Sequence, residues 1–143
     1  MSPSKPFTIP SSVPLKIIYI LLGALTLFQL ALIFGAPWGH AAWGGQYRVL
    51  PTLYRFGSVS SILLYIFFVW VFRQREKHPQ RKSTKVLAWI IFGYSVIGVV
   101  MNSLSSSRLE NFIWAPVSAI LAICMYLIAR PPRNIYGPYS YYP

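Results

Sequence analysis

Residues 17–34 read IIYILLGALTLFQLALIF and contain no Asp, Glu, Lys, Arg or His. A helix that crosses about 30 Å of hydrocarbon needs about 20 predominantly apolar residues. Working outward, three more stretches meet or approach that requirement: 56–72 (FGSVSSILLYIFFVWVF, at the short end), 86–104 (VLAWIIFGYSVIGVVMNSL) and 112–129 (FIWAPVSAILAICMYLIA). None of them carries a charged side chain or a histidine. Backbone polar groups in hydrocarbon must be satisfied within the segment, so helices are expected. The runs do not alternate apolar and polar residues, which argues against barrel strands. The expected fold class is all-α: an integral membrane four-helix bundle in up-down order over 17–129. It is preceded by a Pro-rich segment (1–16) and followed by a Pro/Tyr-rich tail (130–143).

Composition agrees. The chain has 143 residues, 55% hydrophobic and only 10% charged, against about 25% charged in soluble domains. Its formal net charge is +11, from 13 Lys+Arg and 2 acids. Such an excess fits either nucleic acid or the cytoplasmic face of a membrane protein, and the distribution decides between them. Lys5 and Lys16 precede the first span. Arg73, Arg75, Lys77, Arg81, Lys82 and Lys85 crowd the link between the second and third, and Arg130 and Arg133 follow the fourth. These ten fall on one side of an up-down bundle, and only Arg48, Arg55 and Arg108 fall on the other. The positive-inside rule then predicts cytoplasmic N and C termini. The six cations of the basic link are expected against anionic lipid headgroups, at about 1 kcal/mol each, and nucleic acid is not expected as a partner. The first span reads as an uncleaved anchor, its apolar run being longer than the usual signal-peptide core.

The outer ends of the spans hold the polar residues: Gln29, Asn102, Ser103, Ser118 and the serines at 58, 60 and 61. They gather beneath the outer loop 35–51, GAPWGHAAWGGQYRVLP, which adds Trp38, His40, Trp43, Gln46 and Arg48. Arg55 follows it, and Arg108 and Glu110 lie in the facing link. One reading is structural: Gln29 and Asn102 bond between helices, Glu110 pairs with an arginine, and Asn111 caps the fourth helix. Small-residue stripes such as Ser95, Gly98 and Asn102 are then packing seams. The other is a shallow outer pocket for a lipid headgroup or other amphiphile. There Arg48, Arg55 and Arg108 hold an anion, His40 and Glu110 add hydrogen bonds, and the tryptophans face the apolar part.

Catalysis has little support. A His40–Glu110 dyad has no spacing signal, too few ligands exist for zinc, and no hydrolase, zinc-protease or phosphate-loop motif occurs. No metal or cofactor is expected. Coupled transport uses charged groups inside spans, and thiol-oxidase chemistry needs cysteine pairs, whereas the chain has one cysteine, Cys124.

The loop pattern G-x-P-x-G-x-A-x-W-G-G, then V-L-P, stands here as Gly35, Pro37, Gly39, Ala41, Trp43, Gly44, Gly45, Val49, Leu50 and Pro51. It resembles that of a largely uncharacterised group of small four-span bacterial integral membrane proteins, and the likeness extends to NSLSSSRLENFIWAPV at 102–117. The resemblance implies the same architecture and a bacterial plasma (inner) membrane location. It brings no activity and no catalytic residues. The expected role is therefore non-enzymatic, structural or accessory, through contacts with a second copy or a larger membrane complex. Amphiphile binding or transfer at the outer face is the alternative, and a membrane enzyme is the third.

Overall fold

The computed structural model describes residues 12–130. Four helices carry them: α1 (Ser12–Ile33), α2 (Thr52–Lys77), α3 (Lys82–Ser103) and α4 (Ala115–Ala129). A π-helical turn, Glu110–Trp114, runs directly into α4. Each helix, the last taken as Glu110–Ala129, is long and apolar enough to cross a membrane. Two short 3-10 turns, Gly39–Ala41 and Trp43–Gly45, shape the α1–α2 connection, and no strand occurs among the described residues. Most of the Pro-rich lead-in, the Pro/Tyr tail, Lys5 and Arg133 lie outside the described residues.

The helices overrun the apolar segments. α2 has 26 residues and takes in Arg55 at one end and Arg73, Arg75 and Lys77 at the other. Gln, Arg, Lys and Glu are good helix formers, and cations in a last turn are favoured by the helix dipole. The helix stops only where Pro79 forbids continuation, with the His78 amide bonded to the Gln74 carbonyl at 2.9 Å. The polar turn expected over 73–85 is thus confined to 78–81. Its other cations sit on helix ends.

The start of the fourth helix differs from expectation. Asn111 is not its cap, because it lies inside the π turn. Ser107 caps instead: its hydroxyl accepts from the Glu110 amide at 3.4 Å, and its carbonyl accepts from the Asn111 amide at 3.1 Å. This is half of a Ser-x-x-Glu capping box, since the Glu110 side chain goes elsewhere. Pro116 accounts for the wide turn. It has no N–H to give, and its ring would clash with the Phe112 carbonyl in a regular helix. The Ala115 amide bonds to the Glu110 carbonyl, five residues back. The kink expected at Pro116 therefore takes the form of a π turn.

Contacts fix how the ends are grouped. Arg55, early in α2, reaches the Ile33 carbonyl at the end of α1. Asn102, late in α3, meets Ser118, early in α4. Arg75, late in α2, reaches the Ala129 carbonyl at the end of α4. The 35–51 loop and the 104–109 link therefore share one end, here the capped end. Lys16, the 78–81 turn and Arg130 share the other, the basic end. The main core fills the basic half, with Ile18, Val71, Phe72, Ala88, Met125 and Ala129 at its centre and the free Cys124 buried among them. A second, small core of Leu32, Ala42 and Leu50 anchors the loop to α1, with Phe28, Tyr47 and Tyr54 packed on it.

One basic-end residue is not where its charge suggests. Arg75 is only 3% exposed. Its guanidinium bonds to the Pro79 and Ala129 carbonyls, tying the 78–81 turn to the end of α4. Bound in this way it is not free to meet a headgroup, whereas Arg73, Lys77, Arg81, Lys82 and Lys85 are exposed.

Candidate functional site

Between the filled basic half and the cap lies a cavity of about 650 Å³. All four helices and both capped-end links line it. Its floor is apolar, made by Leu22, Phe68, Leu121 and Met125, which also belong to the main core. Its walls carry Phe28, Tyr65, Tyr94 and Trp114, with Gln29, Ser95, Asn102 and Ser118 between them. Toward the cap it meets Trp43, Gly44, Ser105, Ser106 and Glu110. From Trp114 to Met125 the wall spans about 16 Å at 1.5 Å per residue. The cavity is a deep chamber above the filled basic half, rather than a shallow hollow confined to the space beneath the loop.

The mouth faces sideways as well as up. Tyr94, Met101 and Leu104 line the chamber and are also 54%, 65% and 77% exposed. α2 and α3 are neighbours in sequence yet pack less closely than α1 with α2 or α3 with α4. An opening on that side would lie against acyl chains if the bundle sits in a bilayer.

The cap is held by five directed bonds. The Gly39 amide closes the loop on the Arg48 carbonyl at 2.9 Å. The Ser107 hydroxyl donates to the His40 carbonyl at 2.7 Å, and the Trp114 indole N–H donates to the Ala41 carbonyl at 2.6 Å. The Gly44 amide donates to Glu110 Oε1 at 2.8 Å, and the Ser105 hydroxyl donates to Oε2. Gly44 and Gly45 hold φ of +80° and +75° beside Trp43 at +54°. Three consecutive left-handed residues suit glycine at the last two. They lay the Trp43 ring so close to Gly57 that a Cβ there would come within 2.6 Å of it.

The ten candidate residues separate into two groups. Gln29, Trp43, Asn102 and Glu110 line the chamber. Trp38, His40, Gln46, Arg48, Arg55 and Arg108 do not. Trp38 stacks on the outside of Phe28, at 6.4 Å between rings and 50% exposed. His40, Gln46, Arg48 and Arg108 are exposed, and His40 and Arg48 contribute to the cap through their carbonyls. Arg55 Nε donates to the Leu50 carbonyl at 2.9 Å and Nη1 to that of Ile33 at 3.4 Å, so it clamps the end of α1. The three arginines do not converge on an anion site, and Glu110 pairs with neutral donors rather than with an arginine.

The expected interhelical bonds are present in part. Asn102 Nδ2 donates to Ser118 Oγ at 3.0 Å, joining α3 to α4. Gln29 is buried beside Tyr65, but its carbonyl oxygen has no hydrogen-bond partner among the described residues. Ser95 bonds to the Ile91 carbonyl and to Met125 sulfur at 2.9 and 3.0 Å. With Gly98, where a Cβ would meet nothing within 4 Å, it faces open volume rather than a closed seam.

No protein-family model, curated protein or solved structure matches the chain.

Sequence reasoning missed Phe28, Tyr65, Tyr94 and Trp114 as wall residues. The signal was available in part: tyrosines deep in apolar spans carry a hydroxyl that needs a partner. Among the described residues, no group of three or more His, Cys, Asp or Glu is placed to hold a metal ion.

Proposed function

We propose that this chain is a non-enzymatic integral membrane protein that binds, or binds and transfers, an amphiphile within its bundle. The observation that carries the reading is the 650 Å³ chamber itself. It lies in the range of small-molecule sites and combines apolar and aromatic walls with a few polar groups, the composition such sites share. The filled basic half speaks against a continuous pore. The one-sided cations support an orientation with both termini in the cytoplasm and the cap outside, in the bacterial plasma membrane that the loop resemblance implies.

Native mass spectrometry of the full chain, extracted from membranes in mild detergent, tests this. A retained amphiphile near one per chain is expected, and its loss in Gly98→Phe, which fills open volume at the wall, is expected with it. A chain without retained mass, unchanged by that substitution, would contradict the proposal.

A second reading keeps the interaction role. α3 is the least buried of the four helices, and Gly93 leaves room for close backbone approach, which membrane helix pairs favour. Cysteine crosslinking between copies at position 93 in native membranes would support it.

A further inference from the structure

The charge pattern of the chamber narrows its ligand. Among its described lining residues Glu110 is the only charged side chain. It is 6% exposed, and its oxygens are held by the Gly44 amide and the Ser105 hydroxyl, both neutral donors. A carboxylate taken out of water is costly unless a counter-charge meets it. The positive end of the fourth helix offsets part of that cost. An anionic headgroup would find Glu110 facing it and no arginine to hold it, since Arg48 and Arg108 are exposed and Arg55 is bound to carbonyls. A neutral amphiphile would leave the carboxylate as it is. The walls offer Phe28, Trp43, Tyr65, Tyr94 and Trp114, and aromatic faces attract cations, most strongly when desolvated.

We infer that the ligand of this chamber is a lipophilic cation, its positive charge met by Glu110 and its apolar body held among the aromatic walls. The inference rests on the chamber being a binding site, and it reverses the charge expected from the loop arginines. It also gives Glu110 a role besides holding the cap: the carboxylate excluded from the apolar segment 112–129 lies at the first turn of the spanning helix Glu110–Ala129.

Equilibrium dialysis of the full chain in phosphatidylcholine nanodiscs, with empty nanodiscs as the blank, tests it. The probes are tetraphenylphosphonium and tetraphenylborate, ions of nearly the same shape and opposite charge. Saturable binding of the phosphonium is expected, with no competition from the borate. Glu110→Gln keeps an oxygen for Gly44 and should weaken phosphonium binding at least about tenfold. Ser106→Lys, at an exposed lining position, leaves the Glu110 bonds intact and should weaken it similarly, so a fold defect in the first variant does not decide the matter. Borate binding as well as phosphonium, no saturable binding of either, or phosphonium affinity unchanged in both variants would overturn the inference. An amphiphile still retained in mass spectrometry would then leave the chamber reading standing. Phosphonium binding unchanged in Gly98→Phe would place the ion elsewhere and overturn the inference.

Discussion

At the residue scale, charge is a poor guide to exposure in this molecule. Arg75 and Arg73 are two positions apart on one helix, yet the first is buried against carbonyls and the second is exposed. Arg75→Gln should lower stability by about 1–3 kcal/mol, because it leaves buried carbonyls unpaired. Arg73→Gln should stay within about 0.5 kcal/mol. Thermal unfolding in a fixed detergent checks both, and equal effects would contradict the assignment. At the cap, Gly44 has open space around it but a φ of +80°. Gly44→Ala should therefore cost about 1–2 kcal/mol through the backbone alone, and Gly44→Asn should cost less, asparagine tolerating that region better. The Asn102–Ser118 bond should show a coupling of about 0.6 kcal/mol, and at most about 1.7, in a double-mutant cycle.

At the element scale, the turn before Pro116 sets the register of everything above α4. The wide turn lets Glu110 face Gly44 while Trp114 reaches Ala41. Pro116→Ala restores an N–H and removes the ring clash, so a regular helix becomes available there. Removing one residue of bulge rotates the preceding turn by about 100° relative to α4. Glu110 and Trp114 cannot then both keep their partners. The expected result is faster amide exchange at Gly44 with little change in α2, read by hydrogen–deuterium exchange. An unchanged Gly44 amide would show that the turn is not held by Pro116. The element level is also where the sequence was most legible. Four uncharged runs marked four helices in the right order, because lipid-length apolarity leaves few alternatives. The ends were less legible, since Arg, Lys, Glu and Gln continue a helix as readily as they leave it. The capping serine was hidden among three consecutive serines, 105–107.

At the scale of the whole molecule, the sequence led to the expectation of a pocket under the 35–51 loop, and residues 41–44 of that loop line one end of the chamber. Its composition was not legible. The loop arginines suggested an anion site, but whether a side chain points inward depends on local turns that only the folded cap specifies. The wall comes from single residues on four helices, spaced by packing rather than by any motif. Orientation is testable at this scale. In a Cys124→Ser background, cysteine at the exposed position 46 should label from outside and cysteine at position 80 only after permeabilisation, and the reverse pattern would invert the bundle. The most direct measurement is photolabelling of the full chain in membranes with a clickable, diazirine-bearing fatty amine, followed by peptide mapping. The account predicts adducts concentrated on the chamber walls of α3 and α4, around Tyr94, Gly98 and Ser118, and lost in Gly98→Phe. Adducts spread over the exposed faces of all four helices, indifferent to that substitution, would contradict it.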